Sequence, residues 1–291
     1  MVFLAALCLF APGSFAQNQF NPAKIEQITG LKGKWNDQEQ TFKVAIPRDD
    51  VQITVDGNKL PPFMGLTSWA AFMCGDMPMV MGDMVLFEDE VNPAMSAALD
   101  NGLSVTALHN HFFFDDPKVY FMHIGGQGDA EKLATGVRKV FDTVKAIRSK
   151  TPVPGKSFGQ ESLPAESSIT AANLEEIFGT KGEAKNGMFK AVFGRTTTMP
   201  CGCKVGKEMG VNTWAGFAGS DQNALVDGDF AVLETQLQDV LKSLRKSGIN
   251  IVAIHSHMSG ENPRILFLHY WGKGAAADLA KAIKTALGVA K

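Results

Sequence analysis

The chain's six histidines all fall in two copies of one pattern. The first is Leu108-His109-Asn110-His111, with His123 beyond eleven intervening residues; the second is Ile254-His255-Ser256-His257, with His269 at the same spacing. Two imidazoles at alternate positions of a strand project from one face with Cα atoms roughly 6.6 Å apart, so their nitrogens can converge on one ion or one anionic ligand. His109, His111, His255 and His257 are therefore candidate ligands for a divalent metal, zinc ahead of copper. The alternative is a set of hydrogen-bonded structural imidazoles between packed repeats. Whether His123 and His269 join depends on hairpin register. If facing residue numbers sum to 229, His123 faces Thr106 and points away; a sum of 230 sets it opposite Ala107, on the histidine face. Both registers remain open in the sequence.

Other polar groups recur with the histidines. Glu88 and Glu234 each stand 21 residues before the first histidine of their copy, as a general base or further ligand, or as first-turn acids favoured by a helix dipole. Asp83 and Asp229 follow Gly82 and Gly228, and either join the site or turn the chain after glycine. Phe112 and Phe114 form a pocket lip or buried core. With Trp69 and Trp214 they are the aromatic candidates for ligand binding. Met73, Met77, Met79, Met81 and Met84 surround Cys74; thioethers suit Cu(I), but Met79 and Met81 alternate with Val80 as packed strand residues would.

The elements that must position these groups are duplicated. Ile25–Gly33 matches Leu174–Gly182, Phe42-Lys43 matches Phe189-Lys190, and Met64-Gly65 matches Met209-Gly210. Trp69-Ala70-Ala71-Phe72 matches Trp214-Ala215-Gly216-Phe217, and the offset drifts only from 149 to 145. Glycines before the first histidine (Gly102, Gly248) and prolines after the second (Pro117, Pro263) complete the frame. Within a repeat, Phe42–Ile46 and Val51–Val55 read as a hairpin, and Thr67–Met73 and Met79–Phe87 as further strands. Glu88-Asp89-Glu90 opens a helix that Gly102 ends. Strands over Leu103–His109 and Lys118–His123 follow. Asp129–Ile147 is a helix with Leu133, Val137, Val140, Phe141 and Val144 on one face. The fold class is α+β: two tandem homologous modules, each a mostly antiparallel sheet with helices on one face, related by a pseudo-twofold axis. The repeats run over 20–148 and 169–291, joined by a Pro- and Gly-rich linker over 149–168. Trp69, Trp214 and the histidine strands are expected to pack one module against the other.

Of the 291 residues, 45% are apolar and 20% charged, as in a soluble globular protein, and a net charge of −2 without basic runs argues against nucleic acid. Residues 1–16 are apolar, uncharged and end Gly13-Ser14-Phe15-Ala16, as a secretory signal would, though without a basic start. No other stretch is long enough to span a bilayer. Removing the signal leaves Cys74, Cys201 and Cys203, so at least one thiol is free or bridges outward. Cys201-Gly202-Cys203 is too tight for an ordinary disulfide.

Val105–His111, Lys118–His123 and Met81–Leu86 resemble the bacterial LppY/LpqO family over residues 20–290. The resemblance implies a duplicated domain without an established activity, often described as a lipoprotein. Two departures stand out: Leu7 precedes Cys8 where a lipid-attachment motif wants a small residue, and Gln236 replaces Glu90. The reading is an exported, periplasmic or secreted protein with a histidine-centred site in each module. Each site binds a divalent metal and supports hydrolysis of a cell-envelope substrate. The rivals are a non-enzymatic protein that holds a small ligand and a copper-handling protein.

Overall fold

The computed structural model describes residues 21–73, 77–159 and 161–290. The expected signal segment and Cys74 lie outside these residues. The first repeat runs α1 (Pro22–Thr29), β1 (Gly33–Asn36), β2 (Thr41–Pro47), β3 (Ile53–Val55), β4 (Asn58–Leu60), β5 (Thr67–Met73), β6 (Met79–Phe87), α2 (Glu88–Asp100), β7 (Ser104–His109), β8 (Asp115–Asp116), β9 (Val119–Gln127) and α3 (Ala130–Lys150). The second runs α4 (Ala171–Phe178), β10 (Glu183–Lys185), β11 (Met188–Gly194), β12 (Thr197–Thr198), β13 (Lys204–Val205), β14 (Asn212–Gly219), β15 (Ala224–Leu233), α5 (Leu237–Lys246), β16 (Asn250–His255), β17 (Ile265–Gly274) and α6 (Ala276–Val289).

The two half-sheets fuse into one antiparallel sheet of 12 strands, ordered β1-β2-β5-β6-β9-β7-β16-β17-β15-β14-β11-β10. The pseudo-twofold axis runs between β7 and β16, which meet at Leu108 and Ile254. One face carries the helices. Its core includes Val44, Ala70, Met84, Leu108 and Met122 under Val91, Met95, Val137 and Val140, with the matching set in the second repeat. The other face is partly covered by small flaps, β4-β3-β8 over one repeat and β12-β13 over the other. Each flap closes a satellite core: Ile53, Leu66, Val85, Phe87, Val119 and Phe121 in the first, Val211, Ala231, Ile265 and Phe267 in the second.

Two expectations are corrected. The segment Val51–Val55 does not pair with Phe42–Ile46. Asp56-Gly57, with φ of 49° and 75°, is itself the turn of a β3-β4 hairpin, and β2 pairs with β1 and β5. Such consecutive positive φ values are those of a tight hairpin turn, which aspartate and glycine tolerate. The histidine strands do form the seam between repeats, but Trp69 and Trp214 do not. They sit on β5 and β14, three strands away, beneath Lys43 at 4.0 Å and Lys190 at 4.3 Å from the ring centroids.

What holds the seam is reciprocal. Asn92 on α2 reaches into the second repeat, where its amide donates to the Ile251 carbonyl at 3.2 Å and accepts from the Ile251 N–H at 2.8 Å. Gln238 on α5 reaches back and makes the same pair with Val105, both at 2.9 Å. Because β7 and β16 share a single bridge, these backbone groups have no strand partner on that side, and the side-chain amides supply it. The second repeat, lacking Glu90's carboxylate, opens on a 3-10 turn over Glu234–Gln236 before α5. In the first repeat, buried Glu90 accepts from the Phe87 N–H at 2.9 Å and from Arg48 at 2.7 Å, and pairs with Arg148 at 2.8 Å.

Candidate metal centre

Both hairpin registers occur, one on each side of a bulge. Ser104 and Val105 face Gly125 and Ile124, then the register slips at Thr106, so that Ala107, Leu108 and His109 face His123, Met122 and Phe121. The second repeat has the same slip at Val252, after which Ala253 faces His269 and His255 faces Phe267. An extra residue in one strand flips the facing of everything beyond it. Here it brings His123 and His269 onto the histidine face, the sheet face opposite the helices.

A row of side chains then crosses each half-sheet. Trp69 faces Asp83, which faces His123, which faces Ala107; Trp214, Asp229, His269 and Ala253 repeat it. Alanine in that row leaves room for the first histidine to lean over it. The glycine before each aspartate lies on the helix face. A Cβ at Gly82 would stand 2.6 Å from the Trp69 carbonyl oxygen, and one at Gly228 would stand 2.2 Å from that of Trp214 and 2.4 Å from the Tyr270 hydroxyl. The Gly-Asp pair is thus a strand position with no space beneath it and a carboxylate above it, not a turn.

The strand ends at the first histidine, so the second sits in the loop rather than on the strand. His257 lies flat on Phe267, centroids 3.4 Å apart and planes within 8°. His111 covers Phe121 at 3.9 Å. The loop is shaped alike in both repeats despite different sequences. Asp115 accepts from the Val119 N–H at 2.6 Å and Glu261 from the Ile265 N–H at 3.1 Å, and Pro117 and Pro263 both follow cis peptide bonds.

In the second repeat Asp229, His255, His257 and His269 each offer a ligand atom, all within 4.8 Å of one another. His255 Nε2 lies 3.0 Å from His257 Nε2, and Asp229 Oδ2 lies 3.5 Å from His257 and 3.9 Å from His269. Two nitrogens on one tetrahedral zinc ion, each about 2.05 Å from it, would stand roughly 3.3 Å apart. The set therefore fits an ion with only small side-chain shifts. Two of its buried polar atoms, Asp229 Oδ1 and His255 Nδ1, have no hydrogen-bond partner. Burial drives the His255 imidazole down to about 4, helped by the neighbouring His269 and His257. His257 is lowered by burial against the pull of Asp229, and Asp229 is raised by burial against the pull of His257 and His269. Neutral imidazole is the form that binds metal.

The first repeat has the same residues at the same registers, less tightly gathered. His109 Nε2 and His123 Nε2 are 3.0 Å apart, and His109 Nδ1 lies 3.1 Å from the Asn110 carbonyl oxygen. The His111 ring is 5.2 Å from that of His109. Burial raises Asp83 while His123, His109 and His111 pull it down, and its Oδ1 has no hydrogen-bond partner.

One family model matches the chain twice, over residues 23–143 and 172–289. The chain belongs to the family described as Domain of Unknown Function (DUF1259). The double match coincides with the two half-sheets and so with the two histidine sets. No curated protein matches the chain. Among solved structures it is similar to the trimeric bacterial microcompartment shell protein PduB, with 12% identity and a TM-score of 0.23 over 88% of this chain and 89% of that one. It is also similar to the double ringed trimeric shell protein MSM0271 from the RMM microcompartment, with 10% identity and a TM-score of 0.19 over 85% and 93%. Likenesses this distant bear on neither assembly nor function. Among the described residues no helix is long and apolar enough to cross a membrane.

The remaining candidates lie elsewhere. Glu88 and Glu234 are exposed at the far end of their strands, five residues and roughly 17 Å from Asp83 and Asp229. Glu234 pairs with Arg264 at 3.5 Å. Glu88 lines a cavity of about 300 Å³ at the seam, with Asn92, Tyr120, Phe158 and Trp271. Phe112 packs edge-on against Phe121, whereas Phe114 is 81% exposed. Cys201 and Cys203 are free and exposed. Asp83 and Asp229 are the carboxylates of the site, and their signal in the sequence was a constant spacing of 26 residues to the first histidine.

Proposed function

We propose that the protein binds one divalent metal ion in each repeat, through Asp229, His255, His257 and His269 in the second and Asp83, His109, His111 and His123 in the first. The observation that carries this reading is the convergence of four ligand atoms within 4.8 Å. Three imidazoles and one carboxylate on a tetrahedral framework suit zinc better than Mg²⁺ or Ca²⁺, which take all-oxygen shells, and the set has no thiolate or thioether to favour copper. The set is open to solvent, with His257 and His269 both exposed, so an ion held there can meet a ligand from outside. An exported, periplasmic or secreted setting and kinship with the LppY/LpqO family belong to the same reading.

Bound metal would supply Lewis acidity, and hydrolysis of a cell-envelope substrate is the enzymatic form of the proposal. It needs a coordination position free of protein and a base in reach. Glu88 and Glu234 lie five residues along the strand from Asp83 and Asp229, and Glu234 is not in the group of converging ligand atoms. That placement favours the second reading, a protein that holds a small ligand on the open face between Trp69 and Trp214 without turnover. Zinc titration of the full chain separates these readings in two steps. Two equivalents should bind in the wild type and one in His255→Ala/His257→Ala. Full zinc binding by that variant would sink the metal reading. With metal loaded, turnover on a panel of esters and phosphoesters that falls with both histidine pairs supports the hydrolase; tight ligand binding without turnover supports the binding protein.

A further inference from the structure

The methionine cluster is not core. Val80 and Met84 on β6 turn inward and are 0% and 1% exposed, while Met73 on β5, Met77 just before β6 and Met81 on β6 are 37%, 54% and 58% exposed. Met73 and Met79 face each other across the β5–β6 ladder, and Met81 follows two residues on, on the same open face. The second repeat shows that the fold does not require them. At the same register it pairs Ala218 with Leu225 and places Asp227 where the first repeat has Met81. Packing, the reading the alternation first suggests, therefore accounts for Val80 and Met84 but not for these side chains.

We propose that Met73, Met79 and Met81 form a Cu(I) site, separate from the histidine sets and present in the first repeat alone. Directly facing strand residues have Cβ atoms about 4.5–5.5 Å apart, and the thioether sulfur lies two flexible bonds further out, so the Met73 and Met79 sulfurs can close on one ion. Met81 stands roughly 7 Å along the strand from Met79. Its cross-strand neighbours are Ala71 and Gly125, which leave the long side chain free to swing toward the pair. Neutral thioethers are soft ligands that select Cu(I) over zinc or oxygen-seeking cations, so zinc bound at the histidine sets would not compete for this site. The inference stands whether or not the histidines hold metal.

The test uses the full chain with Cys8, Cys74, Cys201 and Cys203 replaced by Ser to remove competing thiols, labelled with ¹³C at the methionine methyls. Silver(I), a redox-inert probe for Cu(I), is titrated first; anaerobic Cu(I) competition against a chromophoric chelator follows. One equivalent should move the Met73, Met79 and Met81 methyl signals and leave buried Met84, Met95 and Met122 in place. Met73→Leu/Met79→Leu/Met81→Leu should lose that equivalent, with affinity down at least 100-fold, while zinc stoichiometry and near-UV dichroism stay as in the parent. Unmoved methyl signals, or a triple variant that binds Cu(I) within twofold of the parent, would overturn the site and leave the exposed thioethers as a contact surface for another protein.

Discussion

Asn92→Leu should weaken both the fold and the metal site of the opposite repeat. The substitution keeps the side chain's bulk and removes two hydrogen bonds, at 3.2 and 2.8 Å, to the backbone of Ile251, a residue 1% exposed. Leaving a buried N–H and C=O without partners costs about 1–3 kcal/mol each, and partial relaxation toward water brings the sum to about 2–4 kcal/mol. For a domain this large, that lowers Tm by roughly 4–16 °C at about 2–4 °C per kcal/mol. Ile251 is the last residue before the bulge that sets Ala253 opposite His269, so zinc affinity should fall in the second repeat and not the first. Gln238→Leu should do the reverse, because its target, Val105, precedes the bulge that sets Ala107 opposite His123. The assay is thermal unfolding with zinc titration of each single variant in a background where one histidine pair is removed. A loss below about 0.5 kcal/mol, the range of ordinary surface substitutions, or an equal effect on both sites, would refute the clamp.

Glu90→Gln should destabilise the protein by about 1–3 kcal/mol, because it removes the buried carboxylate shared by Arg48 and Arg148 and leaves them their other partners, Asp50 and Asp89; urea unfolding measures it, and a change under about 0.5 kcal/mol would show that those partners suffice. The metal-free protein should lose stability as pH falls from about 6.5 toward about 4, since His255, depressed to about 4 by burial, stays neutral in the fold while its unfolded counterpart takes up a proton. Zinc should steepen that profile, because it keeps its histidine ligands unprotonated in the fold and is released as they take up protons, and a metal-free profile flat over this window would contradict the burial of the imidazole. A chain of residues 20–150 alone exposes the β7 edge and leaves Val105 without Gln238, so it should dimerise through β7 with Asn92 as a shorter clamp. A stable monomer in sedimentation, with the native near-UV signal of Trp69, would contradict the seam.

The duplication, the α+β class and most strands were legible in the sequence because alternation and the repeated Gly, Trp and His positions report directly on strand faces. The convergence of His109 with His123 was not. It turns on a single bulged residue, Thr106, whose type says nothing about whether the ladder slips there. Asp83 and Asp229 were ambiguous for a related reason: glycine before an acid signals a turn, and only the approach of the Trp69 and Trp214 carbonyls shows that the glycine is a strand residue with no room for a Cβ. Trp69 and Trp214 were misplaced at the seam because matched aromatics suggest an interface; each instead lies under a lysine on the open face. The Asn92 and Gln238 clamps carry no sequence signature, since an amide on a helix is usually a solvated side chain.

The central claim is tested most directly by anomalous diffraction at the zinc edge from crystals of the full chain grown with zinc. A peak bounded by Asp229, His255, His257 and His269, with nitrogen and oxygen ligands near 2.0–2.2 Å, is expected, and a second, weaker one beside Asp83, His109, His111 and His123. Histidines in the positions described with no zinc among them, and anomalous signal only at other surface sites, would contradict the account.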